Sequence, residues 1–312
     1  MAAISRSFAR SRPPEALFGW WQAADGQRLR RMDWRQPAGI RPRGRMLFAG
    51  GRSDFIEKYL ESYAHWHRAG WDVTAFDWRG QGLSRGALAP ENPESFDGLV
   101  DDLSGFIADW RAEGDGPFVA IGHSMGGHVL LRALIDRSIE LDAVVLVAPM
   151  LLVNSAPVPD WLAPNFAELM CLIGMRAQPM WKTPRALNRP GSQRQSLLTG
   201  CRERYEDELW WWGEQPEYRL GAPSWGWMRA AFRSSAAFTP DKLARVEVPV
   251  LLVAARHDRL VSAAAIARVA RLLPRSELHM FDDSAHEILR EEDRIRDFAL
   301  ERIDAFLETN AK

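Results

Sequence analysis

Pro117–Arg137 reads PFVAIGHSMGGHVLLRALIDR, and this stretch decides the fold. Pro117 to Ile121 is a short apolar run with the length of a buried strand. It leads into Gly122-His123-Ser124-Met125-Gly126, which fits G-x-S-x-G, and residues 127–137 then read as a helix. Five such residues recur by chance. Between a strand and a helix they specify a sharp elbow that lifts a serine hydroxyl above the sheet. The glycines are required because side chains there would strike the adjoining strand and helix. Ser124 would also sit at a helix N-terminus, where backbone N–H groups favour developing negative charge.

The flanking sequence supplies the rest of the sheet. Upstream, Arg45–Gly50 is an apolar run ending in glycine. Asp54–Ala69 follows with helical spacing of Phe55, Ile56, Tyr59, Leu60, Tyr63 and Trp66, and Gly70 is placed as its C-cap. Trp71–Phe76 reads as a strand, and a helix is expected from about Pro93 to Trp110. Downstream, Ala143–Ala148 is wholly apolar, the signature of a strand covered on both faces. Strand and helix alternate again from Val248: PVLLVAA, a helix over 262–273, a strand over 276–281 and a closing helix over 291–307. This order predicts an α/β fold with a mostly parallel, doubly wound sheet and right-handed crossovers. Between Pro149 and about Pro240 the alternation breaks, with no buried strand. Residues 1–149 and 241–312 are therefore expected to form one core, and 150–240 a helical cap inserted into it. Residues 1–15, MAAISRSFARSRPPE, read as a frayed tail.

Composition narrows the function. The chain is 46% apolar and 26% charged, as an ordinary globular protein is. Its net charge of -1 gives no pull toward nucleic acid. The tail lacks the apolar stretch of a signal peptide, and no run of about 18 apolar residues exists, so a cytoplasmic protein is expected. Two cysteines, Cys171 and Cys201, permit one disulfide but no disulfide framework. There is no metal-ligand spacing, no dinucleotide fingerprint and no P-loop, so no cofactor is expected. Tryptophan is abundant, fourteen in all, and seven (161, 181, 210, 211, 212, 225 and 227) fall between 150 and 240.

A serine becomes a strong nucleophile only beside a base that a third group orients. Asp258 follows the PVLLVAA strand and His286 follows the next one, so both project from the carboxyl edge that carries Ser124. The chain order Ser, acid, His is the one this architecture uses. Asp282 and Asp283 are expected only to shape the loop before His286. An oxyanion would be held by backbone donors: the N–H of Met125, and that of Arg52 in the Gly50-Gly51-Arg52 loop, with Gly51 as the alternative. Gly51 and His123 are candidate substrate-binding residues. His65, His67, His128 and His257 receive no role.

The strings GGRSDFIEKY (50–59), FDWRGQGLS (76–84), GHSMGG (122–127), ARHDRLVS (255–262) and SAHEI (284–288) together resemble the lysophospholipase L2 and monoacylglycerol lipase branch of the α/β-hydrolases. The resemblance spans about 45–150 and 245–308, and the cap matches no motif. It implies the α/β-hydrolase fold and hydrolysis of a small-molecule or lipid ester through an acyl-serine, with Ser124, Asp258 and His286 as the triad and Met125 and Arg52 as oxyanion donors. Gly50 stands where monoacylglycerol lipases carry histidine, which is closer to the Gly-Arg loop of the lysophospholipase branch. Acyl transfer, thioester cleavage, peptide release and carbon–carbon hydrolysis use the same triad, and a silent binding protein can share the fold. Two roles stand open for the cap tryptophans: an aromatic lid that touches lipid surfaces transiently, or packing onto the core. In the Trp210-Trp211-Trp212 triplet neighbours lie about 100° apart, so at least one ring should face away from the core.

Overall fold

The alternation of residues along the central strands builds two cores, one on each face of a sheet. In the computed structural model, which describes residues 8–87, 90–181 and 188–312, eight strands form this sheet. They are β1 (Leu17–Gln22), β2 (Arg28–Trp34), β3 (Gly44–Ala49), β4 (Trp71–Phe76), β5 (Phe118–His123), β6 (Ala143–Val147), β7 (Val250–Ala255) and β8 (Ser276–Phe281). Every residue of β3, β6 and β7 is buried. Successive side chains point to opposite faces. Leu47, Ala49, Ala120, Val144 and Leu146 therefore join one core, while Met46, Phe48, Val119, Ile121 and Val145 join the other. The first is covered by α2 (Asp97–Ala112), α3 (Met125–Arg137) and α9 (Ala263–Leu272). The second is covered by α1 (Leu60–Arg68) and α10 (Asp293–Asn310).

The strand order is β1-β2-β4-β3-β5-β6-β7-β8. From β3 the chain steps outward to β4, then crosses back over β3 to β5, and from there runs in one direction to β8. The order thus reverses between β3 and β5, whose pairing is parallel. The carboxyl ends at such a reversal flank a crevice, the usual seat of a ligand in an open α/β sheet. Those ends are Gly50–Arg52 and Ser124.

The α/β-hydrolase sheet matches the expectation, with one addition. β1 and β2 are antiparallel and extend the sheet beyond β4. Their sequences, LFGWWQ and RLRRMDW, hid them: Arg30 occupies a buried position in β2, where periodicity reads a charge as exposed. Its guanidinium meets Glu57 at 2.5 Å and Asp77 at 3.3 Å, which offsets the cost of burying it. Within the expected frayed tail, residues 1–7 lie outside the described residues, and the remainder is docked. Phe8 packs edge-on against Trp34, Arg10 pairs with Asp207 and Arg12 with Glu57. The helical pattern from Asp54 begins as a 3₁₀ turn at Ile56 and becomes α-helical at Leu60. Gly70 ends it with φ +95°.

Residues 150–240 add no strand to the sheet among the described residues. They carry α4 (Ala163–Leu172), α5 (Gln193–Leu198), α6 (Arg202–Glu214) and α7 (Trp225–Ser235), followed by the short α8 (Pro240–Leu243). In the tryptophan triplet on α6, Trp211 and Trp212 are buried, and Trp210 is half-exposed. The most exposed rings of this segment are Trp161 and Trp181, and Leu162, Phe166, Leu169, Leu172 and Ile173 on and around α4 are exposed as well. Both cysteines are free thiols.

Candidate active site

The elbow is a tight piece of backbone. Ser124 has φ +50° and ψ -114°, a conformation costing on the order of 1–3 kcal/mol for a residue with a side chain. It is held from both sides: the Ser124 N–H donates to the Val147 carbonyl at 2.9 Å, and its own carbonyl accepts from His128 at 3.1 Å and Met150 at 2.9 Å. A Cβ on Gly126 would lie 2.1 Å from the Ala49 carbonyl oxygen, and one on Gly122 would lie 2.7 Å from Gly127 Cα. Only glycine lets β3, β5 and α3 meet this closely.

β7 and β8 deliver two partners to the same rim. His286 Nε2 lies 2.9 Å from Ser124 Oγ, and His286 Nδ1 lies 2.7 Å from Asp258 Oδ2. All three residues are buried, with Ser124 only 9% exposed. Asp258 Oδ1 accepts from the N–H groups of Leu260 and Val261 at 2.8 and 3.1 Å. Burial acts against the charge of Asp258, but the positive field and hydrogen bond of His286 outweigh it, with help from these two amides. The carboxyl is held below its ordinary range. Burial likewise disfavours the His286 imidazolium, yet Asp258 outweighs it and raises the pKa of the ring. His257 points into solvent, Asp282 pairs with Arg256, and Asp283 pairs with Arg294.

The loop after β3 lies against the elbow, since a Cβ on Gly51 would be 3.0 Å from Ser124 Cβ. The Gly51 N–H already donates to Asp54 Oδ2 at 2.5 Å. Among the described residues no hydrogen bond takes up the N–H of Arg52 or Met125. His123 Nδ1 lies 2.8 Å from Asp54 Oδ2 and 3.0 Å from Tyr59 Oη, and its ring centre is 5.1 Å from that of His286. The remaining histidines do other work: His65 bonds Asp304 and His67 stacks on Trp34. Buried His128 bonds the Met150 carbonyl and is pushed down to about 3 by desolvation.

One group of residues escaped the sequence reading. Lys58 Nζ lies 2.7 Å from Asp54, 2.6 Å from Glu287 and 3.6 Å from Glu208 on α6. Arg290 meets Glu287 and Glu208, and Arg194 on α5 meets Glu208 at 2.6 Å. Three cations and three carboxylates thus balance inside the protein, joining the Gly51 loop, the residue after His286 and two helices of the 150–240 segment. Burial disfavours charge on Asp54 and Glu287, but Lys58 outweighs it and holds both carboxyls below their ordinary range. The backbone adds a second tie: the Glu287 N–H donates to the Leu198 carbonyl at 2.7 Å, at the end of α5. In the sequence, Asp54/Lys58 and Glu287/Arg290 have the i,i+4 and i,i+3 spacings of solvated helix pairs. Nothing local marks them as interior.

A mostly parallel sheet with this strand order, helices on both faces and an elbow at the reversal point defines an α/β hydrolase. The profile of the serine aminopeptidase S33 family matches residues 40–293, and the chain belongs to that family. Among curated proteins it is similar to a probable lysophospholipase L2 of Haemophilus influenzae, 23% identical over 269 residues, covering 84% of this chain and 83% of that protein. It is also similar to lysophospholipase L2 of Escherichia coli, 28% identical over 281 residues, covering 84% and 79%. Among solved structures, a soluble variant of monoglyceride lipase from Saccharomyces cerevisiae superposes with a TM-score of 0.76 at 16% identity, covering 96% of this chain and 97% of that one. At that identity the likeness speaks to the fold alone.

Proposed function

We propose that this chain hydrolyses carboxylic esters of acyl lipids, a lysophospholipid or a monoacylglycerol, with Ser124 as nucleophile, His286 as general base and acid, and Asp258 as the group that orients it. The observation that carries the reading is the continuous pair of contacts from Ser124 Oγ to His286 Nε2 and from His286 Nδ1 to Asp258. His286 takes the hydroxyl proton as Oγ bonds to the ester carbon. The carbonyl oxygen, now negative, is received by the N–H groups of Met125 and Arg52. Collapse breaks the ester C–O bond, and His286 returns the proton to the departing alcohol. Water, deprotonated by the same ring, then attacks the acyl-serine, and the carboxylic acid leaves with Ser124 restored. The names of the relatives support a lipid ester as substrate. Residues 150–240 serve as a cap over the site, and the exposed apolar side chains around α4 touch a lipid surface transiently.

The test is a p-nitrophenyl ester series from acetate to palmitate, run on the wild type and on Ser124→Ala. The expected result is cleavage by the wild type and a loss of at least about 10³-fold in kcat for the variant. An inactive wild type whose Ser124 a fluorophosphonate probe also fails to label would overturn the reading.

A further inference from the structure

The arginines packed into this protein meet carboxylates: Arg30 meets Glu57, Arg45 Glu113, Arg204 Glu61 and Arg290 Glu287. Arg52, beside the nucleophile, does not. Its guanidinium donates to neutral acceptors, the Gly221 carbonyl at 2.8 Å and Asn92 Oδ1 at 3.1 Å through one terminal nitrogen, and Ser53 Oγ at 3.5 Å through the other. It also covers the Trp227 ring at 5.4 Å. Glu91, whose field reaches it, is exposed and paired with Arg85. Desolvation pushes the Arg52 guanidinium down to about 10, with only Glu91 acting the other way. At neutral pH it still carries its charge. Two N–H groups at this spot are buried without an acceptor: Nε of Arg52 and Nε1 of Trp227. A cation with no carboxylate in contact, beside two donors that lack an acceptor, suits an anion.

The spacing identifies which anion. If the Arg52 backbone N–H receives the ester oxygen, the guanidinium lies five bonds from the Cα of that same residue. In a 1-acyl lysophospholipid, six bonds separate the ester carbon from phosphorus. Both spans are roughly 6–8 Å. We propose that Arg52, with Trp227 beside it, donates hydrogen bonds to the phosphodiester of a glycerophospholipid head group while the acyl ester lies on Ser124. This rests on the ester-hydrolase reading and selects the lysophospholipid over the uncharged monoacylglycerol. The same cation disfavours a peptide α-ammonium, the group an aminopeptidase must accept.

The experiment compares lysophosphatidylcholine and monoacylglycerol of equal chain length, in one neutral detergent micelle, on wild type, Arg52→Gln and Arg52→Lys. The readout is the ratio of the two kcat/KM values, which cancels any general damage to the oxyanion loop. The ratio is expected to fall about 10- to 100-fold in Arg52→Gln and to recover in part in Arg52→Lys. In the wild type, glycerophosphocholine is expected to compete with a p-nitrophenyl ester, and glycerol is not. An unchanged ratio in a folded Arg52→Gln overturns the proposal. So does failure of glycerophosphocholine to compete, which decides the matter if the variant does not fold. If the wild type cleaves neither lipid and Ser124 resists a fluorophosphonate, the ester-hydrolase reading itself falls and takes this inference with it.

Discussion

Replacing Lys58 with methionine tests the buried charge cluster. The substitution keeps most of the side-chain volume and removes one of three cations facing three carboxylates. Arg194 and Arg290 still serve Glu208, and Arg290 still serves Glu287, but Asp54 keeps only His123 and the Gly51 N–H. Breaking a buried pair from one side costs about 3–5 kcal/mol. For a chain of this size that is a fall in Tm of about 6–10 °C, at roughly 2 °C per kcal/mol. The pH dependence has a definite sign. Asp54 and Glu287 have folded pKa values below the unfolded ones, so their pairing stabilises the protein above the ordinary carboxylate range and is lost as pH falls through the folded values. The gap between wild type and variant should be full at pH 7 and narrow below about pH 4. Removing Asp54 as well, in Lys58→Met/Asp54→Asn, should recover part of the loss, because the carboxylate left without a Lys or Arg partner is then gone. Urea unfolding at pH 7 and at about pH 3 measures this. A loss under about 1 kcal/mol that is equal at both pH values would refute the reasoning, since an exposed pair behaves that way.

Other outcomes follow from the site. Because Asp258 raises the pKa of His286 above its ordinary 6.5, and the base must be neutral to act, the acid limb of a kcat/KM–pH profile should lie above 6.5. Asp258→Asn should lower kcat by about 10³- to 10⁴-fold, and the residual activity should show the limb displaced to lower pH, because burial is then opposed only by the smaller fields of Glu287 and Asp54. A limb that stays in place would mean that another group sets it. Gly126→Ala would place a methyl group 2.1 Å from the Ala49 carbonyl oxygen. A destabilisation of about 3 kcal/mol or more is expected in thermal or urea unfolding, and a near-neutral result would show that β3 and α3 can separate there.

Six of the eight strands were legible: burial left β3, β5, β6 and β7 largely apolar, and β4 and the more exposed β8 were marked by their place in the alternation of strand and helix. β2 was not, because Arg28, Arg30, Arg31 and Asp33 break the alternation, and Arg30 reaches its counter-ions only through the tertiary fold; nor was β1, whose apolar residues lie largely at the surface and show no buried face. Ser124, Asp258 and His286 were legible because the elbow has a local signature and the other two stand directly after strands. Lys58, Glu208 and Glu287 come together across 229 residues, and no local pattern reports such a meeting. Arg52 entered the sequence reading only as a candidate backbone donor. Its side chain became informative only once its surroundings showed no carboxylate in contact with it.

The docked stretch from Phe8 to Arg12 also bears on how the molecule would come apart. It touches β2 through Trp34, α6 through Asp207 and the Trp211 N–H, and the turn before α1 through Glu57. It is thus a strap running from the first hairpin to α6. A protease that trims this end would cut the strap while leaving the parallel strands intact. The expected product is a protein whose sheet still unfolds cooperatively but whose α6 has lost one of its moorings.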